Sequence, residues 1–182
     1  MERRTFLKTA AGVVGALTLP AWLLEQERAR ARGVEVSGAG SQEIEKLEKS
    51  EEAWRRILTE GEFEILREEG TEPPHSSPLN EEKRAGTFIC AGCFLPLFSS
   101  ETKFESGTGW PSFYAPIEPA HVETKRDLKL VIPRTEYHCA RCGGHQGHIF
   151  DDGPEPTGKR YCNNGLALNF VAEGEELPEL RS

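Results

Sequence analysis

Four of the five cysteines in this 182-residue chain form two Cys-x-x-Cys pairs, Cys90 with Cys93 and Cys139 with Cys142. Pairs with this spacing lie at tight turns, and two of them together supply the four thiolates of a tetrahedral structural zinc site. The alternative is two disulfides. A Cys-x-x-Cys disulfide is typical of redox enzymes with a thioredoxin-like strand–helix context, however, and neither pair has that context. We therefore expect one structural zinc ion bound by all four cysteines, with no coordination position open to a substrate.

The fifth cysteine, Cys162, is left without a pair. It follows Arg160 and Tyr161 and precedes Asn163 and Asn164, so its neighbourhood is polar and positively charged. Such surroundings favour the thiolate, which is the nucleophilic form of cysteine. The other interpretation is an inert thiol buried at the end of a strand. The residues beside Cys162 leave both interpretations open.

The first 31 residues have the pattern of a targeting segment. The pair Arg3-Arg4, followed by Phe-Leu-Lys, resembles a twin-arginine export signal, and Thr9 to Leu24 is its apolar region. We exclude this segment from the fold and expect an exported protein, periplasmic or otherwise extracytoplasmic. In that compartment paired cysteines are able to form disulfides, so the zinc prediction does not follow from location.

The end of the signal segment allows two outcomes. Ala29-Arg30-Ala31 has the small-x-small form of a cleavage site, but charged residues precede it. The segment is therefore either cleaved after Ala31 or retained as a membrane tether, the only membrane association we expect. Residues 32–42 have the composition of a flexible linker, and residues 43–182 form the predicted domain.

The net charge of the whole chain excludes one class of partner. The net charge is -8 and the pI is about 5.3. A nucleic-acid binder usually presents a basic face, so we expect no nucleic-acid partner.

Residues 43–70 are predicted to be a helical lead-in. Apolar spacing predicts a helix from Glu43 to Leu58. Thr59 opens a capping-box pattern for a second short helix that ends at Gly70. The prolines of Thr71–Asn80 exclude a helix there, and His75 in this loop receives no role.

Residues 86–171 are predicted to be a core of short antiparallel strands separated by Gly, Pro and Asp turns. No long helical segments lie between these strands to serve as crossovers, so we expect a mainly β fold rather than an α/β fold. The predicted strands are 87–89, 94–98, 129–132, 136–138, 148–150 and 166–170.

Two further segments carry candidate chemistry. Trp110 and Phe113 lie on a glycine-rich loop, where they form either part of the core or an apolar wall for a small methyl-bearing group. His145 and His148, directly after the second cysteine pair, are acid/base candidates near neutral pH. The alternative for both histidines is a solvated or turn-capping role. Asp151 and the residues after it form a turn.

Several motifs occur in one order along the chain. They are Gly107-Thr-Gly-Trp-Pro-Ser-Phe113, His145-x-x-His148 with Phe150-Asp-Asp-Gly-Pro154, Arg160-Tyr-Cys-Asn-Asn164 and Leu168-x-Phe170, besides the two cysteine pairs. Together they resemble one family, the B-type methionine-R-sulfoxide reductases, and the resemblance covers about Glu51 to Phe170. It implies a mainly β fold containing a zinc ribbon, and the reduction of the R epimer of peptide-bound methionine sulfoxide.

The resemblance also implies roles for single residues. Cys162 would attack the sulfoxide sulfur and become a sulfenic acid. His145 and His148 would bind the sulfoxide oxygen, with a water, and supply protons, and Asn164 would orient them. The remaining implied site residues are Arg160, which assists the thiolate, and Trp110 and Phe113, which contact the substrate, with Trp110 against its S-methyl group.

Two positions depart from the family pattern. Thr108 stands where many members have a second cysteine that attacks the sulfenic acid, so we predict that an external thiol or thioredoxin-like protein reduces Cys162 directly. Gly165 replaces a common serine, which bears on the fine positioning of the site. The expected substrates are oxidised proteins outside the cytoplasm, and the expected role is repair of oxidative damage.

Two other functions compete with this one. A zinc-ribbon binding module would need the cysteine pairs but neither Cys162, the two histidines nor Trp110. A cysteine hydrolase would use Cys162 with a histidine oriented by Asn164. Thiol consumption distinguishes them, because a hydrolase consumes no reductant and a binding module survives replacement of Cys162.

Overall fold

The computed structural model describes residues 44–128 and 133–182, all within the unit Ser41–Ser182. This part is mainly β, with two antiparallel sheets and two short helices, so the predicted fold class is confirmed. The signal segment, the linker and the predicted strand 129–132 lie outside the described residues. The elements are α1 (Glu51–Ile57), α2 (Glu60–Glu68), β1 (Gly86–Cys90), β2 (Pro96–Ser99), β3 (Lys103–Phe104), β4 (Ser112–Phe113), β5 (Val122–Asp127), β6 (Arg134–Cys139), β7 (His145–Phe150), β8 (Arg160–Asn163) and β9 (Leu168–Ala172).

The two helices begin at polar caps. Ser50 accepts the N–H of Ala53, so α1 starts at Glu51 and is shorter than the predicted helix from Glu43. Thr59 and Glu62 form the predicted capping box of α2, which ends just before Gly70. Within residues 44–128 and 133–182, neither helix is long and apolar enough to cross a membrane.

The sheets have the orders β2-β1-β9 and β3-β4-β8-β7-β6-β5, and every described pairing is antiparallel. The sequence did not predict β5, because its residues Val122–Asp127 are mostly charged and its middle is exposed. Charged side chains are common on edge strands, where they hinder pairing with a further strand.

An aromatic cluster joins the two sheets. Phe98 of β2 stacks on Phe113 of β4 with ring centroids 4.3 Å apart, and Phe88 of β1 meets Phe113 edge-on at 4.9 Å. Tyr137 and Tyr161 extend the cluster along the larger sheet at 5.3 Å from each other. Phe113, Tyr137 and Tyr161 lie on the face of the larger sheet that packs against the smaller sheet, which we call the inner face. The alternate residues of the same strands therefore point to the opposite, outer face.

Candidate active site

Cys162 lies on β8 between two neighbouring strands. Its Cα is paired with Ser112 of β4 on one side and with His148 of β7 on the other. His148 is in turn opposite Glu136 of β6. Directly opposed side chains leave a sheet on the same face, with Cβ atoms about 4.5–5.5 Å apart. The outer face of the sheet therefore carries a hydroxyl, a thiol, an imidazole and a carboxylate in one row.

His145 reaches the same face through a β-bulge. In a regular strand, residues three apart point to opposite faces. The pairing of β6 with β7 shifts by one residue between Tyr137 and His138, which leaves Gln146 as an extra residue. The extra residue returns His145 to the face of His148, and their rings lie 5.6 Å apart. The structure thus brings the two predicted histidines together.

Each histidine faces a buried carboxylate. Nε2 of His148 lies 2.8 Å from Oδ2 of Asp127, which also contacts Arg134 at 2.7 Å. Nδ1 of His145 lies 2.9 Å from Oε1 of Glu136, but the pair does not have the geometry of a hydrogen bond. Among the described residues, neither ring nitrogen of His145 has a hydrogen-bond partner. Sequence analysis missed both carboxylates, because Asp127 and Glu136 become neighbours of the histidines only through strand register.

His148 is a neutral imidazole at neutral pH. Burial lowers its pKa from the usual value, and the charge of Arg134 acts in the same direction, while the hydrogen bond to Asp127 opposes both. The Asp127 carboxylate accepts a hydrogen from Nε2, which leaves Nδ1 as the nitrogen that accepts a proton.

Burial and a nearby cation shift the pKa of Cys162 in opposite directions, and burial has the larger effect. Burial raises the pKa of the half-buried thiol, whereas the charge of Arg160 and a hydrogen bond with Thr108 lower it. Arg160 lies two residues before Cys162 on the same face and is held by Asp152 through bonds of 2.8 and 2.9 Å. Its guanidinium also lies 4.3 Å from the centre of the Phe150 ring. The resting group is the thiol, with a fixed cation beside it that favours ionisation.

Asn164 forms hydrogen bonds with the backbone of the β-bulge at Gln146 and not with an imidazole ring of the described residues. Its backbone N–H and its side-chain amide both donate to the carbonyl of Gln146, at 2.8 and 3.0 Å. Its side-chain oxygen accepts the backbone N–H of Glu72 at 3.2 Å. Asn164 therefore acts on His145 through the backbone that carries it.

Glu72 connects Trp110 to the end of β8. The Trp110 indole donates to the carbonyl of Glu72 at 3.1 Å. The buried Glu72 carboxylate accepts the N–H groups of Gly165 and Leu166 at 2.5 and 3.2 Å. Burial raises its pKa, and these two bonds oppose the shift. Sequence analysis did not single out Glu72, because nothing in the sequence distinguishes a buried carboxylate from an exposed one.

Phe113 does not reach the face that carries Cys162. It is opposite Tyr161 on the inner face, fully buried, and stacked on Phe98. Ser112 and Phe113 are adjacent on β4, so only one of them points to each face. The residue predicted to contact substrate thus lies in the core, and Ser112 takes the position beside Cys162.

The structure gives a reason for the glycine at position 165 and a role for His75. A Cβ at Gly165 would lie 1.9 Å from Oγ and 2.3 Å from Cβ of Ser77, so Ser77 occupies the space that a larger residue at 165 would need. His75, which received no role from the sequence, donates its backbone N–H to the carbonyl of Gly109 at 2.7 Å and thereby stabilises the Gly107–Gly109 loop.

The four paired cysteines converge as predicted. Their sulfur atoms all lie within 4.8 Å of one another and are buried, with Cys90 to Cys142 at 3.7 Å and Cys93 to Cys139 at 3.5 Å. Disulfide sulfurs would be about 2.05 Å apart, whereas Zn–S bonds of about 2.3 Å in a tetrahedron place sulfurs about 3.8 Å apart. The cluster is therefore free thiols in a metal-binding arrangement.

Comparison with known proteins agrees with this geometry. The family model described as "SelR domain" matches residues 58–172. A peptide methionine sulfoxide reductase MsrB of Methanosarcina barkeri is 53% identical over 129 residues, which cover 71% of this chain and 91% of that protein. Proteins of the same name from Pseudomonas putida and Hahella chejuensis are 50% and 42% identical, over 70% and 75% of this chain and 96% and 99% of their own lengths. The chain therefore belongs to the SelR-domain family, which is the family of its MsrB relatives.

Proposed function

We propose that this protein reduces the R epimer of methionine sulfoxide in peptides and proteins, with Cys162 as the nucleophile. The observation that carries the proposal is the position of Cys162, which lies directly opposite His148 and shares its face with Arg160. Membership of the SelR-domain family supports the same reaction.

The reaction balances with a single thiol. The Cys162 sulfur attacks the sulfoxide sulfur and forms a transient S–S bond. The S–O and S–S bonds then break as the oxygen passes to Cys162 together with the proton of the thiol. Cys162 is oxidised to a sulfenic acid and the substrate is reduced to methionine. The first half-reaction needs no other reactant.

His148 is the group that moves this proton. As a neutral imidazole it accepts the proton of Cys162 at Nδ1, and as an imidazolium it donates the proton to the leaving oxygen. Asp127 stabilises the charged form during the transfer, and Arg160 stabilises the thiolate. The ring of His145 lies 5.6 Å from that of His148 and has both nitrogens buried, so His145 acts on the oxygen only through a water.

Trp110 supplies the apolar surface for the S-methyl group. Its indole N–H is already bonded to Glu72, so the orientation of the ring is set before substrate binds. A fixed wall beside the sulfur accommodates the methyl group in one of two mirror-related positions, which is the physical basis for selecting one epimer.

The second half-reaction uses an external reductant. Thr108 lies beside Cys162, and the other four cysteines belong to the metal cluster, so no internal thiol resolves the sulfenic acid. Two external thiols, or one dithiol protein of thioredoxin type, restore Cys162 and release water and a disulfide.

The metal is zinc in a structural role. Four buried thiolates suit Zn²⁺ and fill its tetrahedral coordination. Gln146 of the bulge donates to the sulfur of Cys90 at 3.5 Å, so the metal cluster supports the strand that carries the histidines. One equivalent of zinc per chain by metal analysis is the expected result.

The cellular role that fits these properties is repair of oxidised proteins outside the cytoplasm. The twin-arginine pattern at Arg3-Arg4 supports export. Replacing both arginines by lysine is expected to retain the protein in the cytoplasm, and cell fractionation measures it. Unchanged export of that variant would contradict the assignment.

The test of the activity is turnover of a peptide that contains one methionine sulfoxide, with dithiothreitol as reductant. We expect methionine from the R epimer alone, and none from Cys162→Ser. Cleavage of the peptide without consumption of thiol would indicate a hydrolase. A zinc-loaded protein inactive on both epimers would indicate a binding module, a function that needs no thiol at position 162.

A further inference from the structure

One oxygen atom of the Asp127 carboxylate is shared by a guanidinium and an imidazole. Asp127 ends β5, and Arg134 begins β6 directly opposite it. Nη2 of Arg134 lies 2.7 Å from Oδ2 of Asp127, and Nε2 of His148 lies 2.8 Å from the same oxygen. The side chains of His148 and Asp127 are only 12% and 5% exposed, so solvent screens these contacts weakly. Since His148 is opposite Cys162, the three groups form a connected unit beside the thiol.

The two partners of His148 in this unit have opposite effects on its protonation. A carboxylate by itself stabilises the imidazolium and so favours protonation of the ring. Arg134 places a positive charge on the same carboxylate oxygen, which reduces this attraction and also repels a positive charge on the ring. Burial of the ring acts in the same direction as Arg134. His148 is therefore able to keep a hydrogen bond to a carboxylate while it remains neutral.

Arg134 also keeps Asp127 ionised. A buried carboxylate without a cation favours its protonated form, because burial disfavours the charge. An ionised carboxylate only accepts hydrogen bonds, so Nε2 of His148 must carry the hydrogen that it shares with Asp127. The basic nitrogen of the neutral ring is then Nδ1. The guanidinium thus influences both the protonation and the tautomer of His148.

We propose that Arg134 is a positioning residue for the proton transfer, which acts through Asp127 and keeps His148 neutral until the proton of Cys162 arrives. In that step the S–H bond of Cys162 breaks and the proton binds to Nδ1 of His148. The imidazolium then releases this proton to the leaving oxygen of the substrate. The inference deepens the proposed function, on which its catalytic meaning rests.

The simpler interpretation of Arg134 is a cross-strand ion pair that stabilises the pairing of β5 with β6. In that case, loss of the guanidinium would lower the stability of the sheet and leave the titration of His148 where it is. The titration of His148 therefore distinguishes a positioning role from a purely structural one.

Other charged and titratable groups of the described residues surround His148, and they come from each neighbouring element. Their influence is the same in every variant below, so it cancels in the comparison. They are Lys125 on β5, Glu136 on β6, His145 on β7, Arg160 and Cys162 on β8, Asp152 bound to Arg160, and Glu69 after α2, which pairs with Lys125.

The test is the titration of the His148 ring, followed by NMR of its imidazole nitrogens in the full zinc-loaded chain. The variant His148→Gln identifies the signal by removing it. The nitrogen shifts report both the protonation midpoint and the tautomer. The experiment needs neither substrate nor turnover, so its failure is distinguishable from failure of the proposed function.

The informative variant is Arg134→Gln, which keeps a hydrogen-bond donor for Asp127 and removes the charge. The midpoint of His148 is expected to rise by about one pH unit or more, because the ring loses a nearby like charge. Arg126→Gln is the matched control. It removes the same charge one residue before Asp127, from an exposed side chain on the opposite face of β5, and should leave the midpoint unchanged.

Arg134→Met serves if Arg134→Gln fails to fold, since it keeps the apolar stem of the side chain and also removes the charge. A midpoint that stays in place or falls in the neutral variants of Arg134 would overturn the proposal. An equal rise in Arg126→Gln would overturn it too, because net charge rather than the guanidinium on Asp127 would then set the protonation of His148.

Discussion

His145 and His148 present their rings to each other at 5.6 Å and 68°, although residues three apart on a strand normally point to opposite faces. The bulge at Gln146 produces this arrangement, and Asn164 holds it by donating two hydrogen bonds to the Gln146 carbonyl. The two histidines therefore share one face because of a bulge that Asn164, at the end of the next strand, stabilises.

Asn164→Ala is expected to damage activity and stability together. It leaves the buried backbone N–H of Glu72 without its Asn164 acceptor and removes one of the two hydrogen bonds to the Gln146 carbonyl, at a cost of about 1–3 kcal/mol in the free energy of unfolding. Relaxation of the bulge is also expected to lower kcat. Urea unfolding and steady-state kinetics measure the two effects, and Asn169→Ala on β9 is the matched control. Wild-type kcat in a destabilised Asn164→Ala would contradict the link between bulge and site.

Arg160→Met is expected to move the activity of Cys162 to higher pH. The cation lowers the pKa of the thiol against the effect of burial, so its removal raises that pKa and reduces the thiolate fraction at neutral pH. The expected result is a rate of alkylation of Cys162 by iodoacetamide at pH 7 that is about tenfold lower than in the wild type, because only the thiolate reacts.

Lys159→Met is the control for this prediction, since it removes an adjacent positive charge that is bound to Asp151 at the surface. An equal shift in both variants would mean that net charge, rather than the held guanidinium, sets the pKa of Cys162.

Gly165→Ser is expected to destabilise this protein. The new Cβ would overlap Ser77, and such overpacking costs about 1–3 kcal/mol. Ser77→Gly in the same chain opens the space, so the double variant should be more stable than the sum of the single effects predicts. Thermal unfolding of the four proteins in the cycle measures the coupling. Additive changes would exclude steric competition between the two positions.

Removal of the metal is expected to unfold the region around β7. A chelator strong enough to take the metal from the four cysteines leaves the Cys90 sulfur without its ion and weakens the support of Gln146. Loss of zinc, a lower Tm and loss of activity should occur together, and added zinc should restore all three. If a chelator left Tm unchanged while a thiol reductant lowered it, the cysteines would be paired as disulfides.

The sequence predicted the parts of the fold that local chemistry decides. The capping box at Thr59 and the two cysteine pairs depend on residues close in the chain, and the structure contains both. The helix from Glu43 was predicted too long, because Ser50 takes the first free N–H and apolar spacing alone does not reveal a cap.

Register between strands could not be predicted. The partners of the histidines, Asp127 and Glu136, lie on other strands, and which residues face each other depends on pairings that are long range in sequence. The same alternation moved Phe113 into the core and Ser112 beside Cys162. A one-residue change of register reverses every face assignment, so such contacts follow from the folded sheet alone.

The most direct measurement of the central claim is a single turnover without added reductant. The wild type is expected to release one methionine per chain from the R epimer and to retain a sulfenic acid on Cys162 that dimedone traps. Thr108→Cys is expected to release the same amount and to end as an internal disulfide instead, because position 108 lies beside the sulfur. Release of methionine by Cys162→Ser, or a wild-type product without an oxidised Cys162, would contradict the account.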